Sequence, residues 1–501
     1  MDMQFPLLSA LIFFPLAGAL ILTLLPRKNS LFIKVIALVW SLLEFALSLP
    51  LFFDFDEKTM GMQFVEQRPW FPEWGANYIL GIDGISMLIV MLTTFLTVLC
   101  ILCSWEAIEK KVKEYYASFL LLETAMIGAL CALDLVLFYI FWELMLVPMY
   151  LLIGVWGGPN RIYAAIKFFL FTMVGSVLML LAIMALYFHY GGETGVYTFN
   201  VFDLYKANMP RALQTWLFAA FALSFAIKVP MFPFHTWLPD AHTEAPTGGS
   251  VILAGVLLKM GTYGFIRFAI PLFPEAAIAS IPLISALAII GIIYGAIMCI
   301  MQTDLKRLIA YSSVSHLGYV MLGIFAFNMQ GLEGGIYQML NHGVSTGGLF
   351  LIVGMIYERR HTRMIADFGG LSKVMPRLAV FFMIVTLSSI ALPGTNGFVG
   401  EFLILLGAFR SNMLYGVLAA TGVILGAVYM LWMFQRVMFG ELKKEENKKL
   451  LDLTKREALI LCSIVILIFL MGLYPKPFLK KMDASATGYL RYMETKITAQ
   501  H

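Results

Sequence analysis

Long apolar runs recur along the whole chain, and no other feature limits its folding as tightly. A helix needs roughly 20 apolar residues to cross a bilayer, and stretches of about that length follow one another from Leu7 onward, separated by short polar links. Of 501 residues, 60% are apolar and 13% are charged, with a mean hydropathy of +0.84. A water-soluble domain of this size needs far more Lys, Arg, Asp and Glu on its surface. The pattern predicts an all-α polytopic membrane protein and excludes nucleic-acid binding and disulfide scaffolds. All five cysteines (Cys100, Cys103, Cys131, Cys299, Cys462) lie inside apolar runs. The Cys100/Cys103 pair has no second pair to complete a metal site, so these thiols read as lipid- or core-facing.

A window of about 19 residues predicts fourteen spans, near 7–25, 31–52, 83–103, 116–133, 135–155, 162–190, 213–238, 250–270, 277–301, 308–327, 335–357, 378–409, 415–438 and 457–474. Leu7 to Leu25 lacks a basic leader and a small-residue cleavage site and reads as a retained span. The run from Tyr116 to Val155 is too long for one crossing, and Leu133-Asp134-Leu135 is the natural turn within it. Arg27 and Lys28, Lys110, Lys111 and Lys113, Arg161, Lys306 and Arg307, Arg359, Arg360, Arg363, Lys373 and Arg377, and the segment Lys443 to Arg456 all fall on one side. The acidic 53–80 segment falls on the other. By the positive-inside rule the basic side is cytoplasmic and both termini lie outside, although Lys476, Lys480 and Lys481 in the tail point the other way.

Two spans look broken. The seventh carries Pro230 and Pro233, each of which removes a backbone donor and clashes with the preceding turn. The twelfth carries Pro393-Gly394-Thr395-Asn396-Gly397, which cannot stay helical. Irregular backbone at membrane depth survives only where protein or water satisfies it, and paired interruptions point to a transport site. The breaks are five spans apart, and five is odd, so a repeated five-helix unit is inserted upside down. The resulting division is 1–115, an N-terminal three-helix segment; 116–270, a first repeat; 277–440, an inverted second repeat; and 441–501, a last helix and tail.

An ionisable side chain in the bilayer core costs at least about 2.5 kcal/mol and is a functional hypothesis by default. The candidates are Glu143 in span five, Lys228 at the first break, Lys259 in span eight, His316 in span ten and Glu401 after the second break, with Glu123 in span four and His342 in span eleven ranked below them. Glu143 and Lys259 each sit ~12 Å into their spans, near the midplane. A carboxylate at Glu143 holds the proton on Lys228 while burial and a second cation at Lys259 oppose it, which is a switch that loads and unloads a proton. The competing reading of Glu143 and Lys228 is one structural ion pair. That of Glu123 is a helix-packing carboxylate, and that of the histidines is hydrogen-bonded support for a polar channel.

The block Lys228-Val229-Pro230-Met231-Phe232-Pro233-Phe234-His235-Thr236-Trp237-Leu238-Pro239-Asp240-Ala241-His242, continuing through Glu244-Ala245-Pro246-Thr247 to Lys259, resembles the antiporter-like subunits of respiratory complex I. Trp142-Glu143-Leu144-Met145-Leu146-Val147-Pro148, Tyr311-Ser312-Ser313-Val314-Ser315-His316 and Gly394-Thr395-Asn396-Gly397-Phe398-Val399-Gly400-Glu401 look like the M subunit (mitochondrial subunit 4), where a carboxylate stands in the place that the L and N subunits give to a lysine. The resemblance implies fourteen helices with two inverted five-helix repeats and a proton-translocating role in the membrane arm of NADH:quinone oxidoreductase. It also implies proton-transfer roles for Glu143, Lys228, Lys259 and Glu401, with His316 as a supporting relay. No cofactor is expected in this chain; NADH, FMN, iron-sulfur clusters and quinone are expected on partner subunits, with L- and N-type neighbours beside it in a bacterial inner membrane. The rival reading is a cation/proton antiporter subunit of the Mrp type.

Overall fold

The computed structural model describes residues 5–27 and 29–498; Lys28, one of the basic residues used to orient the chain, lies outside them. Fourteen helical rods run through the molecule: α1 Leu7–Leu24, α2 Ser30–Phe53, α3 Met87–Ala107, α4 Val112–Cys131, α5 Leu135–Trp156, α6 Arg161–Thr194, α7 split into α7a Arg211–Lys228 and α7b Trp237–Glu244, α8 Thr247–Leu272, α9 Ile281–Ile300, α10 Leu305–Ile324, α11 Met329–Arg360, α12 split into α12a Pro376–Ser389 and α12b Asn396–Ser411, α13 Met413–Met438 and α14 Lys455–Leu473. Ten of them are long and apolar enough to cross a membrane. The other four, α4, α7, α10 and α12, are either broken or richer in polar residues. The fourth rod of α4–α8 is broken, and so is the fourth of α9–α13.

Local chemistry accounts for the ends and breaks. Asp134 caps α5, accepting from Val136 N at 3.0 Å and Leu137 N at 3.3 Å, while its second oxygen takes Asn77 N at 2.9 Å. This is the expected turn at Leu133-Asp134-Leu135. At the first break the indole of Trp237 donates to the Ile227 carbonyl at 2.9 Å, satisfying an acceptor that the prolines leave without its helical donor. At the second, the Ser388 hydroxyl donates to Asn396 Oδ1 at 2.5 Å. The start of α1 has no capping side chain of its own. Glu66 supplies the acceptor, at 2.7 Å from Leu8 N and 3.2 Å from Ser9 N, where a carboxylate also suits the positive end of the helix dipole.

Glu66 belongs to an element that an all-α reading does not contain. Strands β1 Gln63–Phe71 and β2 Ala76–Ile82 pair antiparallel, closed through Gly75, whose φ is +66° and whose missing side chain leaves room for the Tyr197 carbonyl. Most of β1 is exposed, so its residues carry no clean alternation of apolar and polar positions, the pattern by which a strand is recognised. The predicted tail is likewise a helix, α15 Lys476–Thr498. It folds back on the end of the bundle that carries the hairpin, where Gly84 N donates to Ser485 Oγ at 2.9 Å and the Tyr492 hydroxyl donates to the Pro271 carbonyl at 3.0 Å. Basic loops gather at the opposite end, held by Arg359–Glu457 (2.7 Å), Arg363–Asp304 (3.1 Å) and Arg456–Glu106 (3.0 Å).

Helices α8 and α11 are enclosed by protein along their most apolar stretches, whereas most residues in the apolar stretches of α2, α13 and α14 are half-buried or exposed. The hairpin end is tied to the enclosed core by an ion pair that sequence reading overlooked. Arg267 of α8 meets Asp83, just before α3, at 2.5 Å, with both side chains buried, and its Nε donates to the Tyr263 hydroxyl at 3.2 Å. Removing one partner leaves a buried charge uncompensated, so Asp83→Ala or Arg267→Ala should each cost about 3–5 kcal/mol. Replacing both with apolar residues of similar size should cost less than either, as read from thermal inactivation of the purified assembly.

Candidate functional site

Lys228 is the last residue of α7a, directly before the proline break, and its side chain is buried. Its ammonium has no hydrogen-bond partner among the described residues. It lies 5.4 Å from the ring centroid of Trp142 and 5.6 Å from that of Phe168, and such faces stabilise a cation electrostatically. Glu143 follows Trp142 in the chain and accepts a hydrogen bond from the Ser176 hydroxyl. Its charge acts on Lys228, but the two form no ion pair within 4.0 Å. The directly paired Glu143 and Lys228 of the structural reading are therefore replaced by a separated pair with aromatic rings around the cation. The rod α5 is interrupted at Met145, two residues beyond Glu143.

Lys259 lies between two stretches of wider π-turns in α8, Leu253–Leu257 and Phe265–Ala269, a distortion frequent at functional sites. It is fully buried. Its Nζ donates to the Ala254 carbonyl and lies 2.6 Å from His342 Nδ1. When Lys259 carries its proton the ammonium can only donate, so Nδ1 accepts and a neutral His342 holds its ring proton on Nε2. His342, ranked low from sequence, is thus the immediate neighbour of Lys259. Its ring centroid is 5.8 Å from that of His316. A cavity of about 10 Å³ lies there, bordered by both histidines, Asn341, Ser345 and Ser389.

His316 Nδ1 is 3.0 Å from Glu401 Oε1. A carboxylate only accepts, so this nitrogen carries the proton, and Nε2 faces the Ser389 hydroxyl at 3.4 Å. Gln338 also donates to Glu401, at 2.9 Å, and is itself held by the Asn341 amide at 3.0 Å. Four expected groups therefore stand in one row, Lys259–His342–His316–Glu401, on α8, α11, α10 and α12b. Lys228 and Glu143 form a separate cluster around Trp142, and Glu123 joins neither.

Sequence reading left His242 without a role, although it stands within the quoted motif block. It lies in the last turn of α7b, fully buried and stacked on Phe350 at 4.6 Å, with neither ring nitrogen hydrogen-bonded among the described residues. The charges of Lys306 and Lys259 both reach it. Toward the basic end, a polar cleft of about 130 Å³ is bordered by Glu244, Lys306 and Arg363. The signal available in sequence was a histidine inside a run rich in polar residues just after a double proline.

Residues 132–426 match the family described as NADH:quinone oxidoreductase/Mrp antiporter, transmembrane, and residues 10–133 match the amino terminus of NADH-ubiquinone oxidoreductase chain 4. The chain belongs to this family. It is 51% identical over 484 residues to NADH-quinone oxidoreductase subunit M of Rhodobacter capsulatus, covering 94% of this chain and 93% of that one. It is 47% identical over 486 residues to NADH-ubiquinone oxidoreductase chain 4 of Arabidopsis thaliana, covering 97% of each. A chain of respiratory complex I from Thermus thermophilus superposes with a TM-score of 0.88 at 34% identity, over 97% of this chain and 99% of that one. A chain of the Mrp complex from Dietzia superposes with a TM-score of 0.84 at 21% identity, over 97% and 99%, which is a likeness of fold alone. The chain is an antiporter-like, proton-pumping subunit of the complex I type, and the Mrp reading is the less well supported of the two.

Gly400 tests the second half of the row. A methyl group there would stand 2.5 Å from Gln338 Oε1, 2.7 Å from Asn341 Nδ2 and 3.1 Å from Gln338 Cα, so the Gln338 amide is pushed from its place beside Glu401 and α11 and α12b ease apart by a few tenths of an ångström. Gly400→Ala should assemble normally and lower proton pumping several-fold, measured as the proton-to-electron ratio in reconstituted vesicles. An unchanged ratio would show that the Gln338 contact is dispensable.

Proposed function

We propose that this chain carries protons through its enclosed core from Lys228 and Lys259 to Glu401 and carries no redox chemistry itself. NADH, FMN, iron-sulfur clusters and quinone belong to partner subunits of the same complex, and L- and N-type antiporter-like subunits flank this one. The assembly lies in a bacterial inner membrane, with the basic end cytoplasmic and both termini outside. Helices α4–α8 and α9–α13 form the two inverted repeats, between an N-terminal three-helix segment and the C-terminal α14 and α15.

The observation that carries this reading is the polarity of the row. A protonated Lys259 donates to His342 Nδ1, both histidines border the small cavity, and a neutral His316 donates through Nδ1 to an ionised Glu401. Every donor points the same way. A proton reaching His316 at Nε2 lets the Nδ1 proton pass to Glu401, so the ring conserves its charge over the step. Lysine suits the loading end because its proton affinity responds to burial and to neighbouring charge. Glu143, close enough to act on Lys228 yet not bonded to it, is placed to bias that loading. His242 and the Lys306 cleft form the approach from the basic end.

Lys228→Ala should abolish most of the pumping assigned to this subunit. Lys228→Arg should fail as well, since a guanidinium does not release its proton. Glu143→Gln keeps shape and loses charge, and should lower activity more than Glu143→Asp does. Full pumping by an assembled Lys228→Ala complex would sink the loading role. At the other end Glu401→Gln should block turnover, while Glu401→Lys, which copies the L and N subunits, keeps part of it. Proton uptake by reconstituted complexes decides between these outcomes, and an unchanged proton-to-electron ratio in Glu401→Gln would remove Glu401 from the route.

A further inference from the structure

Glu44 of α2 and Glu123 of α4 are both fully buried, on helices that pack against each other, with the Glu123 charge near enough to act on Glu44. None of their four oxygens has a hydrogen-bond partner among the described residues. Neighbouring donors are engaged elsewhere. The Thr97 hydroxyl on α3 donates to the Thr93 carbonyl at 3.0 Å and is the one side-chain donor near enough to reach Glu123 as well. Cys100, the thiol of α3 that feels the Glu123 charge, points its Sγ at the Gly248 carbonyl at 3.4 Å. The Ser48 and Thr94 hydroxyls pair with each other at 2.9 Å. Lys34, the basic residue of α2, reaches the Trp105 carbonyl at 2.6 Å, ten residues and ~15 Å along the helix from Glu44. Helix α1, which packs on α4, contains no ionisable residue.

Two carboxylates cannot both be ionised at close range in an apolar interior without a cation or donors. A proton removes one charge and turns one oxygen into a donor that the other carboxyl can accept. We propose that Glu44 and Glu123 form a second proton-binding site, which exchanges one proton between a fully protonated pair and a shared-proton pair during turnover. The site stands apart from the Lys228-to-Glu401 route. Helix α3 packs on α8 beside it, with Leu96 against Gly255, and α4 itself reaches α8 where the Tyr263 hydroxyl donates to the Leu130 carbonyl at 2.9 Å. One helix diameter, ~10 Å, is short enough for a charge formed at the pair to act on the Lys259 end of the row, because little water intervenes to screen it. The inference rests on the chain pumping protons and not on the order of groups in the main route.

Glutamine copies the shape of a protonated glutamic acid but cannot release its proton, which makes it the discriminating substitution. Glu44→Gln, Glu123→Gln and the double variant are compared in the whole assembled complex, with assembly followed on native gels in mild detergent. Each single change should lower the proton-to-electron ratio, and the double change should lower it no further than the stronger single one, because the pair works as a unit. Redox-induced infrared difference spectra should contain a carboxylic-acid carbonyl band that shifts in heavy water and is absent from both single variants. Wild-type pumping in both single variants, together with an unchanged infrared spectrum, would overturn the proposal and leave an inert neutral pair. The infrared band does not depend on the role of Lys228, so failure of the main route and failure of this site are read separately.

Discussion

A charge or polar backbone group inside an apolar bundle persists only where the protein itself supplies a partner, and the architecture follows from that constraint. Helices α8, α10 and α11 carry Lys259, His316 and His342, and neighbouring rods surround them, among them α12b with Glu401. The helices that meet lipid, among them α2, α13 and α14, are mostly apolar on their exposed faces. Each ionisable group on the enclosed helices meets something specific: a ring face for Lys228, a histidine and a carbonyl for Lys259, a carboxylate for His316. The exceptions are the His242 ring and the carboxyl groups of Glu44 and Glu123, which have no hydrogen-bond partner among the described residues.

The two helix breaks serve the same constraint from the backbone side. A proline break exposes carbonyls that water cannot reach, so Trp237 and the Ser388–Asn396 pair are as necessary to the fold as the apolar packing. Each break also places the end of a half-helix, with its dipole and freed groups, beside the buried site. Lys228 stands at one such end, and Glu401 lies within the first two turns of the half-helix that follows the other.

The all-α polytopic class, the positions of both breaks and the turn at Asp134 were legible because each depends on residues within one or two turns: apolar run length, proline and glycine placement, and an Asp ahead of a helix. Lys228, Lys259, His316 and Glu401 were legible as candidates for a similar reason, since a lone ionisable residue in an apolar run stands out. The β1–β2 hairpin escaped because its strands are short, largely exposed and carry no regular alternation. Helix α15 escaped because its polar composition removes it from any search for spans. Glu44 and Arg267 were passed over among longer apolar stretches, although each is an ionisable residue at or near membrane depth.

What the sequence alone determined is the class of molecule and the set of residues available for chemistry, because hydrophobicity, helix breaking and isolated charge are local properties. Which of those residues meet was decided only by the tertiary packing. Lys259 and His342 are 83 residues apart in the chain and bonded in space, and His316 and Glu401 are 85 apart. Glu143 and Lys228, which sequence paired, make no direct ion pair, and the cation lies against the rings of Trp142 and Phe168, while Glu44 and Glu123 come from two helices that pack together. Such contacts depend on how each rod is rotated about its axis against its neighbours. That rotation is set by the sum of many packing contacts over the bundle, which no single stretch of sequence contains.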